Sequence, residues 1–156
     1  MTSVSLETDG ESDSNNGTPL ITPLTLHIGA EISGVDLSRP MTPALCQSIN
    51  DAMVKWKVIF FRNQNLDHTA HVAMARQFGQ PTIGHAVFGH EDGYPEIYSI
   101  AKNRTANSHR EERLATPWVG WHTDITAAVN PPLAAILRGV TVPPFGGDTM
   151  WTNLAV

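Results

Sequence analysis

A single cysteine, Cys46, stands in the chain of 156 residues, so no internal disulfide can form and the composition suits a reducing compartment. No apolar run approaches the ~20 residues that a membrane-spanning helix needs. The N-terminus shows no basic region followed by an apolar core, the pattern of a secretory signal. Basic residues are scarce: 10 Lys and Arg against 15 Asp and Glu leave a formal net charge of −5, and nucleic-acid binding has no electrostatic footprint to rest on. The expectation is a cytoplasmic protein with no nucleic-acid and no membrane partner. What is present is ordinary globular material, 41% hydrophobic and 16% charged, in a length that fits one domain.

Residues 1–19 are rich in Ser, Thr, Asn, Asp, Glu and Gly, which bury too little apolar surface to offset their ordering entropy. They read as a disordered N-terminal tail, with residues 20–156 as the folded part. Leu24, Leu26 and Ile28 alternate with Thr25 and His27, the period of a half-buried strand, and a second short apolar segment runs from Ile32 to Leu37. Thr42-Pro43 is a helix start, a capping hydroxyl followed by proline in the first turn. Leu45, Ile49, Ala52, Met53 and Trp56 then fall on one helical face, and Cys46 within this pattern reads as a small buried hydrophobe. Val58-Ile59-Phe60-Phe61 reads as a fully buried strand. A second helix starts with Asp67 as cap and runs to Phe78, where Gly79 and Pro81 stop it. It carries His68 and His71, three apart on one face, which read as exposed polar residues.

From Pro81 the texture changes to short apolar segments and turn signals. Glu96–Ile100, Gly120–Thr126, Ala134–Val142 and Asp148–Thr152 read as strands, and 102–117 as an exposed loop or lid. Strands separated by Asn130-Pro131-Pro132 and by Pro143-Pro144-Phe145-Gly146-Gly147 point to a β-sandwich or barrel. Within the first of them stands Trp121-His122-Thr123-Asp124. On a strand, His122 and Asp124 share a face, and an imidazole nitrogen and a carboxylate oxygen so placed can chelate one divalent cation. With a second histidine they would make a facial triad with positions open to an organic ligand and oxygen. Alone the tripeptide fits a surface or satisfied histidine better, and the paired glycines fit an ordinary hairpin turn better.

The flanking residues carry more. Trp121-His122-Thr123-Asp124-Ile125-Thr126, Asn130-Pro131-Pro132, Ala135-Ile136-Leu137 and Gly146-Gly147-Asp148-Thr149-Met150-Trp151-Thr152-Asn153 occur in an order that resembles the signature region of the taurine dioxygenase (TauD/TfdA) family. The resemblance extends upstream through the segment Ile28 to Leu37, Val58 to Arg62, and Gln77-Phe78-Gly79. It implies an iron(II)/2-oxoglutarate-dependent dioxygenase with His122 and Asp124 as the first two iron ligands and Thr149 on the far carboxylate of 2-oxoglutarate. Iron(II), 2-oxoglutarate and molecular oxygen are the implied cofactors and co-substrates, with ascorbate as a support of activity. His85-Ala86-Val87-Phe88 is similar to a His-x-x-aromatic segment lining the sulfonate pocket of taurine dioxygenase, which implies substrate roles for His85 and Phe88; a solvated loop histidine fits His85 as well. Ile125, beside the metal pair, resembles an apolar residue facing substrate, or serves the core. Trp118 stands near a polar asparagine of taurine dioxygenase, a departure that favours a bulkier or more apolar group than taurine. The implied partner is a small organosulfur molecule, an alkyl sulfate or sulfonate.

The implied fold is α+β, a double-stranded β-helix (jelly-roll) with helices packed outside, of which this chain supplies the N-terminal part. The family's third iron ligand is a histidine far downstream, followed by an arginine for 2-oxoglutarate, whereas every histidine here lies at or before His122. The resemblance therefore implies that this chain alone is incomplete, and that its further partner is a complementing C-terminal half or another copy of itself. Two other readings remain at this point: a catalytically inactive fragment, at most a weak metal-binding or interaction module, and a metal-dependent hydrolase built on the same pair. The hydrolase needs more ligands nearby, and after Ile125 only Asp148 is offered.

Overall fold

The computed structural model describes residues 16–84, 89–100 and 120–156. In order the elements are strand β1 (Leu20–Pro23), strand β2 (Ala30–Ser33), helix α1 (Pro43–Trp56), strand β3 (Ile59–Phe60) and helix α2 (His68–Arg76). Strands β1 and β2 pair antiparallel, Leu20 with Ser33 and Ile21 with Ile32, and β2 pairs parallel with β3, Ala30 with Ile59. The parallel pair needs a crossover, and α1 provides it.

Both helices are specified by their caps. The Thr42 hydroxyl accepts from Leu45 N at 3.2 Å with Pro43 in the first turn, and the Asp67 carboxylate accepts from Ala70 N at 2.7 Å. Lys57 ends α1 in the left-handed region, its amide donating to Met53 O at 2.8 Å. Helix α2 ends at Arg76, two residues before the expected Phe78. Leu45, Ile49 and Ala52 of α1, Met74 of α2, Ile32 of β2 and Leu37 form the buried core, flanked by half-buried Trp56, Ile59 and Phe61. Two glutamines lace the loop after β2 to the later elements. Gln64 Oε1 accepts from Leu37 N at 2.8 Å, and Gln77 Oε1 accepts from Met41 N at 2.7 Å.

The structure corrects several expectations. The alternating stretch from Leu24 to Ile28 is the β1–β2 loop, with β1 just before it: Leu24 N donates to Gly29 O at 2.9 Å, and the Thr25 hydroxyl serves Ile28. Leu26 is exposed there, so the alternation has no sheet face to bury. The apolar run from Val58 to Phe61 holds a two-residue strand and is half-buried, because β3 lies at the edge of the sheet. Cys46 is half-buried. Packing starts ahead of Leu20: Asn16 is buried, its Oδ1 accepting from Asp36 N at 2.7 Å and its Nδ2 donating to Asp36 O at 2.8 Å. The backbone passes so close that a Cβ on Gly17 would collide with the Gly34 carbonyl. The rest of the expected tail, residues 1–15, lies outside the described residues, as does the whole of the expected loop at 102–117.

Glu96 and Ile97 belong to a turn, with Ile97 N donating to Tyr94 O at 3.0 Å, and no strand forms over 96–100. None of the expected strands at 120–126, 134–142 and 148–152 forms either. A strand requires a neighbour for its backbone groups, and these segments have no ladder partner among the described residues. The sheet described here is therefore the three-stranded one alone, and the jelly-roll core is not formed by these residues. Trp121, Leu133, Leu137, Val140, Phe145 and Leu154 are accordingly exposed. No helix among the described residues is long and apolar enough to cross a membrane.

Ile32→Ala is expected to lower stability by about 2–5 kcal/mol, the range for truncating a fully buried aliphatic side chain. Thr42→Ala should cost about 1 kcal/mol through the lost cap. Val140→Ser, on an exposed position, should stay within about 0.5 kcal/mol. Urea unfolding followed by far-ultraviolet circular dichroism ranks the three.

Candidate metal centre

His122 and Asp124 stand together without the strand that was expected to align them. His122 Nε2 lies 3.3 Å from Asp124 Oδ1, and His122 Nδ1 lies 2.9 Å from the Gly120 carbonyl. The Gly120 carbonyl and the Asp124 carboxylate can both only accept, so a neutral ring can donate to one of them. With its proton on Nδ1, towards the nearer carbonyl, Nε2 turns a lone pair to the carboxylate side, the form that can ligate a metal. Two electron-rich donor atoms at that separation can share one metal cation between them. Two donors each ~2.1 Å from one cation at a right angle stand ~3 Å apart, so the observed spacing fits a shared divalent ion. Nitrogen and carboxylate oxygen are also the donor types that iron(II) accepts. The fit is partial: both side chains are more than half exposed, 55% and 56%, and the described residues contain no cluster of three candidate ligands.

The chain turns sharply just after the pair. Ile125 takes φ 50°, Ala128 N donates to Ile125 O at 3.2 Å, and the Thr123 and Thr126 hydroxyls meet at 3.0 Å. Positive φ is costly for a β-branched residue, and here it ends any extension past Asp124. Ile125 is 49% exposed beside the pair. Gly146 and Gly147 take φ 78° and 73°, the left-handed backbone that paired glycines permit, and lead into Asp148 and exposed Thr149. His85 and Phe88 lie outside the described residues, as do Trp118 and His109.

The segment bearing the pair is fastened to the N-terminal layer by side chains to which the sequence assigned no role. Trp151 meets Phe60 edge-to-face with ring centroids 5.4 Å apart, and Asn153 Nδ2 donates to His27 O at 2.9 Å. Arg138 donates to the Leu66 carbonyl and reaches His68 Nδ1 at 3.1 Å. His68 and His71 are half-buried at this contact, which corrects their reading as exposed polar residues. The only local signal was their shared helical face; Arg138 lies 70 residues from His68, beyond any periodicity. A separate open groove of about 560 Å³, lined in part by Met41, Cys46, Asn50 and Gln77, includes neither His122 nor Asp124.

The model of the "Taurine catabolism dioxygenase TauD, TfdA family" matches residues 20–155. An alkylsulfatase of Acinetobacter baylyi is 37% identical over 131 residues, covering 83% of this chain and 38% of that protein. An alpha-ketoglutarate-dependent sulfate ester dioxygenase of Pseudomonas putida is 38% identical over 136 residues, covering 85% of this chain and 41% of that protein. Among solved structures, a taurine dioxygenase from Burkholderia xenovorans superposes with a TM-score of 0.69 at 52% identity, covering 83% of this chain and 43% of that one. The chain thus spans about two fifths of the length of these relatives.

His122→Ala and Asp124→Ala are each expected to abolish the binding of manganese(II), an oxygen-inert stand-in for iron(II), as read by electron paramagnetic resonance. His90→Ala, an exposed histidine whose ring contacts its own neighbour Glu91, should leave the signal unchanged. Equal binding by all four proteins would remove the pair from consideration as ligands.

Proposed function

The chain belongs to the taurine catabolism dioxygenase TauD, TfdA family, and on that premise we propose that the whole protein is an iron(II)/2-oxoglutarate-dependent dioxygenase acting on an alkyl sulfate, a sulfonate or a related small organic acid. The observation that carries the reading is the His122–Asp124 pair, with its donor atoms 3.3 Å apart, within the stretch matched by the family model. In this reading His122 Nε2 and Asp124 Oδ1 hold iron(II), and the Gly120 carbonyl fixes the imidazole in the ligating tautomer. Thr149, after the left-handed Gly146–Gly147 turn, offers its hydroxyl to the far carboxylate of 2-oxoglutarate. His85, Phe88 and Ile125 line the substrate. The bound iron supplies the activation of oxygen.

One oxygen atom enters succinate as 2-oxoglutarate loses carbon dioxide, and the other enters the substrate C–H bond as a hydroxyl. Hydroxylation of the carbon beside a sulfate ester oxygen gives a product that collapses to an aldehyde and sulfate. The corresponding sulfonate gives an aldehyde and sulfite. Alkyl sulfates and sulfonates are the preferred class because relatives named for sulfate esters and for taurine both align over more than four fifths of this chain. We further propose the double-stranded β-helix as the fold of the whole domain, with the three-stranded sheet and two helices as its N-terminal layer. The exposed apolar side chains at 121–154 are the surface that the remaining strands would cover.

For residues 1–156 alone, one observation favours a second reading. The described residues hold a two-donor site open to water, which suits weak metal binding without turnover. Succinate formation separates the two. Purified chain with iron(II), ascorbate, 2-oxoglutarate and a panel of alkyl sulfates and sulfonates is expected to be silent. A complementing polypeptide carrying the downstream half of a family member should restore turnover, and Asp124→Ala should abolish it again. Turnover by the chain alone would overturn the weak-binder reading, and continued silence after complementation would count against the dioxygenase reading.

A further inference from the structure

Helix α2 and the segment that follows the metal pair meet at a polar contact made of three basic side chains. Arg138 Nη1 donates to the Leu66 carbonyl, and Arg138 Nη2 lies 3.1 Å from His68 Nδ1. A guanidinium carries donors only, so this second contact requires a lone pair on Nδ1 and hence a neutral His68 ring. One helical turn later the His71 ring faces the backbone of Ile136, two residues before Arg138, while its Nδ1 is buried without a hydrogen-bond partner among the described residues. As a bare lone pair that nitrogen gives up a hydrogen bond to water but carries no charge. As a protonated donor it would be a buried, unpaired charge facing Arg138 and His68.

Among the described residues the surroundings offer no relief. Asp67 is engaged in capping α2, and Glu96, from the loop that follows, pairs with Arg76 at 2.6 Å. The Tyr94 ring packs 5.1 Å from His68 while its hydroxyl meets Thr69 at 2.7 Å. Burial, then the Arg138 charge, and last His68 accordingly hold His71 below the ordinary histidine value of 6.5, against the opposing pull of the Ile136 backbone.

We propose that His68, His71 and Arg138 form a pH-sensitive latch that holds residues 136–138 on helix α2 while both rings are neutral and releases them when the rings take up protons. For His71 the sign follows from a folded-state value lower than that of the released ring. Its contribution to docking is complete above pH 6.5 and is lost as the pH falls from there through the folded value. At His68 the geometry alone speaks: the Arg138 contact uses the Nδ1 lone pair, which a ring carrying N–H at both nitrogens does not have. The latched residues lie in the chain between His122–Asp124 and the Gly146–Gly147 turn, so release frees the middle of the stretch that carries both. The latch holds independently of which substrate is oxidised, and of whether any is.

Nuclear magnetic resonance on the full chain tests it, between about pH 7.5 and 5.0, the range in which histidines change charge. Ring nitrogen shifts report the protonation of His68 and His71. Nuclear Overhauser contacts from the rings to Ile136 and Arg138, with the amide shifts of 136–138, report docking. The expected result is loss of the ring-to-segment contacts in step with the ring titration. In the double variant His68→Gln with His71→Gln, whose amides cannot take up a proton in this range, the amide shifts of 136–138 should stay flat. Contacts that persist with both rings charged would overturn the proposal, as would contacts that vanish with both rings neutral. So would a double variant that keeps the wild-type pH dependence. Should the double variant fail to fold, the comparison of ring and contact titrations in the unaltered chain decides alone.

Discussion

Strand β2 must bury Ala30 and Ile32, and the remaining architecture depends on how it does so. The two positions alternate with half-buried Glu31 and exposed Ser33, so one face of a four-residue strand carries the whole apolar load. Leu45, Ile49 and Ala52 of α1 belong to the same buried cluster, and the antiparallel partner β1 sets Ile21 opposite Ile32. The same strand fixes the return of the chain. Gly29 N donates to Trp56 O and Ala30 N to Val58 O, so the end of α1 is tied to the start of β2 before β3 pairs in parallel. Without Ile32 the sheet has no face to offer the helix, and without the helix the parallel strand has no route back.

What could be read locally was read from local causes. Thr42-Pro43 and Asp67 announce helices because a cap acts on amides two or three residues away. Strands are different, since their backbone bonds go to residues chosen by the fold. Leu24, Leu26 and Ile28 have the right alternation and sit in a loop, whereas Leu20 to Pro23, with a weaker pattern, finds Ala30–Ser33 as partner. After Gly120 the apolar segments have strand-like composition and no ladder among the described residues, so composition alone misleads. The closeness of His122 and Asp124 was legible because a spacing of two brings side chains together in several extended conformations. The contact of His71 and Arg138 with each other's elements was not, because it depends on docking across dozens of residues.

The site is chemically specific and physically unfinished at once. An imidazole backed by the Gly120 carbonyl, a carboxylate in reach and a left-handed turn at Ile125 are features of a prepared position. Yet both donors face solvent, where water competes for every coordination position and salt screens the carboxylate. The apolar side chains around 121–154 face solvent as well, and the family relatives extend well beyond the region of match. Enclosure, which strengthens electrostatic interactions by removing water, is the property that these residues do not provide by themselves.

The spread of the docking contacts along the chain also fixes an order of events. The hairpin β1–β2 joins residues about a dozen apart, while Arg138 meets Leu66 across 72 residues and Asn153 meets His27 across 126. Closing such long loops is entropically slow and is rewarded only when their landing places already exist. During synthesis the sheet and both helices emerge from the ribosome before Arg138 has been added. The nascent layer thus presents Leu66, Phe60 and the His27 carbonyl as ready berths, and the segment carrying His122 and Asp124 arrives later, onto a surface built without it.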